Sequence, residues 1–234
     1  MSKPSQAVRM FIRWGSLNRL EPFVKEGLLF MNTLEYFRGI ESDDPAQRGD
    51  VDEGLTARYD PSRVVLEMSG QAVDGLNAPI DLRMNNQKHT NIFCLTAITD
   101  QDIIDAGGKF RLSEKFREFG DAAAVISGVN ITAFKKRLKE HCEKNREIII
   151  PNGSSVIARH IEYLDPATHH GEVGVFRKFN EYSWQQEWRV AINQSKAPSK
   201  PYDGVRLGDL SDIAKIHTVE EIMNWELKFA PNGL

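Results

Sequence analysis

Trp184-Gln185-Gln186-Glu187-Trp188-Arg189-Val190-Ala191-Ile192 is a run of aromatic and β-branched residues spaced by polar ones, the composition of a β-strand. Side chains of a strand alternate between its two faces. Trp184, Trp188, Val190 and Ile192 are therefore expected on one face, interrupted by Gln186, and that face reads as core. Gln185, Glu187 and Arg189 are expected on the other, with the amide and the carboxylate about 7 Å apart along the strand. On the pattern alone, this is an antiparallel strand whose polar face meets water.

The chain around it has 234 residues, 41% of them hydrophobic. That is enough for one domain over residues 1–234 with a substantial core. A net charge of −3 gives no global basic signature, so contact with nucleic acid would rest on local patches. The two cysteines, Cys94 and Cys142, stand at no metal-ligand spacing and form no CxxC pair. Free thiols, a short polar start from Met1 to Val8 and the lack of an 18-residue apolar run predict a cytoplasmic protein without a membrane span.

Working outward, the amino-terminal part predicts a strand over Val8 to Trp14 and a helix over Leu17 to Glu26. Ser16 or Asn18 would cap that helix, Pro22 would sit in its first turn, and Gly27 would stop it. A second strand, Leu28 to Met31, leads into a turn of helix carrying Leu34, Tyr36 and Phe37. Glu41 to Gly54 is polar, rich in carboxylates and broken by Pro and Gly, which reads as a solvated surface loop. Its spacing does not match a calcium loop. Strands are expected over Arg63 to Met68, Gln71 to Leu82, Asn91 to Ile98, Ala122 to Ile126, Asn145 to Ile150, Val156 to Leu164 and Val173 to Arg177. Gly204 to Leu210 and Ile213 to His217 read as a strand and a turn, and Trp225 to Phe229 as a last strand. Ile131 to Glu143 is the clearest helix, with Ile131, Phe134 and Leu138 on one face and Lys135, Lys136, Arg137 and Lys139 on the others. His169-His170 has no further ligands at a recognised metal spacing. Many short strands with few helices predict an α+β fold with a mainly antiparallel, split β-sheet core and flanking helices. No G-x-G-x-x-G fingerprint follows a strand, which argues against a Rossmann domain.

Two segments carry a resemblance. Gln185-Gln186-Glu187 has the Q-x-E form of the motif that closes the active site of ADP-ribosyltransferases. The opening, a strand with a basic residue followed by a short helix and then G-L-L-F-x-N-x-L-x-Y-F-R over Gly27 to Arg38, is similar to bacterial members of that superfamily. The chain thus resembles the toxin and phage-defence type of ADP-ribosyltransferase over its first fifty residues and over Phe176 to Ile192.

The resemblance implies an enzyme that uses NAD as co-substrate. Glu187 would contact the nicotinamide-side ribose, Gln185 the acceptor, and Arg13 on the first strand would hold NAD. Tyr36 would flank the nicotinamide, and Arg48, in a loop over the cleft, would reach the pyrophosphate with its planar fork. Tyr182 and Trp184 beside Arg177 and Lys178 interleave rings that stack on bases with cations that hold phosphates. A Q-x-E rather than an E-x-E pair suits a nucleic-acid acceptor, RNA before DNA, over protein arginine. A toxin of this kind would have an antitoxin partner. Two alternatives are an NAD glycohydrolase and a catalytically silent binding module on the same scaffold. No metal is expected.

Overall fold

The computed structural model describes residues 7–39, 50–84, 89–145, 148–149, 158–194 and 201–228. Its main elements are β1 (Val8–Gly15), α1 (Leu17–Glu26), β2 (Leu28–Thr33), α2 (Leu34–Gly39), β3 (Thr90–Thr99), α3 (Asp100–Asp105), β4 (Ala122–Ser127), α4 (Asn130–Lys144), β5 (Glu187–Gln194), β6 (Tyr202–Arg206), β7 (Lys215–Thr218) and α5 (Val219–Met223). The largest sheet runs Ile148–Ile149, β5, β3, β1, β4, β7, with Ala158–His160 also on β5. Every pairing in it is antiparallel. Among the described residues the sole parallel pair is Glu162–Leu164 with Arg177–Phe179. The class is α+β with a mainly antiparallel sheet and few helices.

One strand organises the whole. β3 is buried at nearly every position, as a strand covered on both faces must be. Along one edge it pairs continuously with β5, from Thr96 opposite Glu187 to Thr90 opposite Asn193. Along the other edge its partners change: Asn91 and Ile92 meet β2, whereas Thr96 to Thr99 meet β1. The sheet therefore forks between Ile92 and Thr96. Arg13 bridges the fork. Its guanidinium donates to the Cys94 carbonyl at 2.9 Å and lies 4.5 Å from the centre of the Phe93 ring. A backbone carbonyl left over where a ladder ends needs such a donor.

The two faces of the sheet are packed differently. Phe11, Phe93, Leu95, Ile126, Trp188, Val190 and Ile192 meet Leu20 and Phe23 of α1 and Phe134 and Leu138 of α4. Met10, Ile12, Trp14, Ile98 and Val125, on the opposite face, meet Phe116 and Ile222. The expected apolar stripe of α4 is the buried one. Three of its cations are paired: Lys136 with Glu140, Lys139 with Glu143, and Arg137 with Asp212. The Lys135 ammonium lies over the rings of Phe11 and Trp188.

Several expectations need correction. Trp184 to Gln186 do not extend the strand: Asn180–Gln185 is a 3₁₀ turn and β5 begins at Glu187. Gln186 between them has φ of 45°, and its N–H donates to the Ser183 carbonyl at 3.1 Å. Trp184 thereby leaves the face of Trp188 and packs 5.1 Å from Phe116 and 5.5 Å from Phe119. The strands expected over residues 63–82 shrink to Glu67–Met68, Gln71–Ala72 and Ile80–Leu82. Their apolar side chains find nothing to cover, with Val65 75% and Met68 67% exposed. The strand placed over Val173 to Arg177 is displaced to Arg177–Phe179. Pro22 lies inside α1, beyond its first turn.

Gly27 ends α1 in the left-handed region, φ 62°, with its N–H on the Pro22 carbonyl. A Cβ there would stand 2.4 Å from the Gly208 carbonyl oxygen. Replacement by Ala combines the left-handed penalty with a backbone clash, and is expected to cost on the order of 2–3 kcal/mol. Urea titration should show a lower midpoint with an unchanged slope. An unchanged midpoint would mean that the α1–β2 corner relaxes freely.

Candidate active site

The fork opens into a cleft of about 780 Å³, within the usual size of ligand sites. β1 contributes Arg13 to its lining, α2 contributes Tyr36, and the segment ahead of β5 contributes Gln185. Lys178, Glu187, Arg189 and Glu53 form the charged part of the lining. Glu53 arrives from the acidic segment, 134 positions before Glu187 in the chain.

These last four residues form one buried network. Arg189 is 0% exposed. It donates twice to Glu53, at 2.7 and 2.8 Å, once to Oε1 of Glu187 at 2.6 Å, and once to the Val175 carbonyl at 2.6 Å. Lys178 Nζ lies 3.1 Å from Oε2 of Glu187 and 3.8 Å from Oε2 of Glu53, and it donates to the Gln185 carbonyl oxygen at 3.0 Å. Two carboxylates and two cations thus alternate around a ring. The backbone of Glu187 is pinned as well: its N–H donates to the Tyr163 hydroxyl at 2.9 Å, and its carbonyl accepts from Ile161 N–H at 2.9 Å. Each Glu187 oxygen engages one cation and the Cys94 thiol bonds the carboxylate as well, which leaves acceptor capacity for one further donor.

The ring fixes charge states. Burial alone would raise the Glu187 carboxyl, but Arg189 and Lys178 outweigh it and hold the group well below the usual carboxylate range. Burial would lower Lys178, yet Glu187 and Glu53 keep it above its ordinary value. Arg189 remains charged by the same balance. Asp50 is the exception: burial, then the adjacent Glu53 carboxylate, push it up to about 7 against the pull of Lys178. Burial and Glu187 also raise the thiol of Cys94. An un-ionised thiol is a poor nucleophile, which argues against Cys94 as an attacking group.

The sequence-derived candidates divide. Arg13, Tyr36, Lys178, Gln185 and Glu187 meet in the cleft. Tyr36 is 46% exposed and stands edge-on to Phe37, 5.4 Å between ring centres. Tyr182 is buried beneath Lys178, whose ammonium lies 5.2 Å from its ring, so neither ring face is offered to a base. Trp184 belongs to the apolar cluster described above and is absent from the cleft lining. Arg177 pairs with Glu162 at 2.8 Å, also outside the cleft lining. Arg48 falls outside the described residues. No group of three or more His, Cys, Asp or Glu among the described residues is arranged to hold a metal. His170 Nδ1 accepts the Asp60 N–H, and His169 meets the carbonyls of Gly171 and Glu172.

Glu53, Asp50 and Arg189 were not expected as site residues. Arg189 had a signal, since it shares the strand face of Glu187 two positions on. Glu53 and Asp50 had none beyond their acidic segment, whose composition pointed to solvent. Both are in fact buried, because the cations that receive them come from β5 and from Arg177–Phe179 more than 120 positions away. The chain matches no protein-family model, no curated protein and no solved structure.

The raised carboxyl of Asp50 has a direct consequence for stability. The folded state keeps a proton that the unfolded state releases above its ordinary value of 3.8. The stabilising contribution is therefore complete below about pH 4, and it is lost as pH rises towards 7. Asp50→Asn keeps the oxygen that accepts the Asp52 N–H and removes the titration. Wild type should lose roughly 2 kcal/mol relative to the variant between pH 5 and 7. Paired denaturation curves across that range check this, and parallel pH profiles would show that Asp50 titrates normally.

Proposed function

We propose that the cleft binds NAD and transfers its ADP-ribosyl group to a nucleic acid, RNA in preference to DNA. The observation that carries this reading is the meeting of Arg13, Tyr36, Gln185 and Glu187 in one cleft, although they come from opposite ends of the chain. The donor set fits the molecule. Arg13 and Arg19 line the cleft apart from the charge-balanced ring, as cations suited to a pyrophosphate. Tyr36 presents an exposed ring for an aromatic heterocycle.

NAD supplies a positively charged nicotinamide that departs with its bonding pair and leaves electron demand on the ribose. Glu187, held ionised by Arg189 and Lys178, places negative charge beside that sugar and accepts a hydroxyl through its remaining lone pair. Preorganised charge of this kind stabilises a transition state without reorganisation. Gln185, with its carbonyl held by Lys178, is a neutral amide beside the carboxylate, and it adds no repulsion towards the phosphates of a nucleic acid. The acceptor's lone pair forms the new bond to the sugar, and its proton leaves to solvent.

Role in the cell follows as part of the same proposal: a toxin acting in phage defence, restrained by an antitoxin protein. Among the described residues no helix is long and apolar enough to cross a membrane. One observation favours a second reading. Both oxygens of Glu187 already hold cations, which suits a module that binds NAD without turning it over.

Glu187→Gln separates these readings. With labelled NAD and RNA, wild type should place label on RNA, and the variant should bind NAD within a few-fold while transfer falls about a hundredfold or more. Label released only as free ADP-ribose would make the protein a glycohydrolase. Binding without consumption by wild type would make it a binding module. Equal transfer by both proteins would remove Glu187 from its assigned role.

A further inference from the structure

We infer that Glu53 is a positioning residue for Glu187, acting through Arg189. This rests on the proposed transfer reaction and adds to it a residue from a part of the chain that the motif does not touch. Glu53 grips the outer edge of the Arg189 guanidinium with both oxygens, while the Nε–H on the remaining edge points at Glu187. A guanidinium is planar and rigid. Fixing two of its corners therefore fixes the direction in which the third N–H approaches the carboxylate.

The arrangement is costly as a structural device. Four charges are withdrawn from water, with Arg189 and Glu53 at 0% and 2% side-chain exposure and Lys178 and Glu187 at 4% and 5%. Apolar side chains of similar volume hold a fold as well as a buried ion pair or better. The ring, however, stands in the wall of the cleft and ends on the carboxylate that faces it. Such clusters concentrate at functional sites.

Without Glu53, two N–H groups of Arg189 would lose their acceptor. Arg189 would then turn to Glu187 with two N–H groups instead of one. The carboxylate would rotate into a bidentate pair and give up the lone pair kept for the ribose. The cleft-facing cations Arg13 and Arg19 would be unaffected. Loss of Glu53 should therefore lower turnover while leaving NAD capture intact.

The test compares wild type, Glu53→Gln and Glu53→Asp as full-length protein, with NAD binding by calorimetry, steady-state transfer of label to RNA, and a thermal melt of each preparation. Glu53→Gln removes the charge, and Glu53→Asp restores it on a shorter arm. For Glu53→Gln we expect kcat to fall at least tenfold with the Kd for NAD changed less than threefold, and for Glu53→Asp to recover part of the lost kcat. If Glu53→Gln does not fold, Glu53→Asp alone decides: a reduced kcat at unchanged Kd supports the role. Wild-type kcat in any folded Glu53 variant overturns the inference and leaves the proposed reaction standing. A parallel loss of NAD binding and turnover also overturns it, assigning Glu53 to the cleft's integrity. A wild type that binds or consumes no NAD overturns the proposed reaction first, and the inference with it.

Discussion

The pairing of Arg189 with Glu53 is the constraint on which the rest of the site depends. A fully buried guanidinium is tolerable only when its N–H groups are satisfied and its charge is met. Arg189 meets both demands with partners from three places: the acidic segment, its own strand, and the Val175 carbonyl. Each partner is thereby committed to one position. The segment around Glu53 must lie against the sheet, β5 must present its polar face inward, and Lys178 must enter as the fourth charge. What would be a solvated sheet face becomes the wall of a cleft.

The fork supplies the space that the ring needs. An unbroken sheet would have paired Phe93 to Leu95 on both edges and left no opening. Because β3 exchanges β2 for β1 partway along, a gap forms beside the charged wall, and Arg13 closes its backbone side with one hydrogen bond and one ring contact. The apolar layers on either face, centred on Phe11, Trp188 and Phe134 and on Trp14 and Phe116, hold the strands while the gap stays open. One face is thus largely apolar, whereas the other carries the charged site at one part and the Trp14 and Phe116 layer at another.

Most elements were legible in the sequence, because strand and helix periods are imposed by backbone geometry and survive in the pattern of apolar residues. β1, α1, β3, β4 and α4 lie where the periodicity puts them. The errors have physical causes. At Trp184 the alternation continued across a residue whose backbone reverses hand, which a side-chain pattern cannot report. Over residues 63–82 β-branched residues suggested strands, but strand propensity reflects packing on a pleated surface, and little surface is offered there. Arg13, Tyr36, Gln185 and Glu187 were readable from local motifs. Glu53 was not, because its burial is created by charges far along the chain. Composition alone makes a carboxylate look like a surface residue.

Gln186 also bears on how such a site can change. Its left-handed backbone is costly for a residue with a side chain, and such conformations gather where function outweighs local comfort. Here it uncouples two neighbours. Glu187 inherits its direction from the ladder with β3, whereas Gln185 inherits its direction from the turn that precedes it. Substitutions, insertions or length changes within Asn180–Gln185 can reshape one side of the cleft while the strand bearing the carboxylate keeps its register. The site is built in two modules joined at a single residue, one held by the sheet and one open to variation.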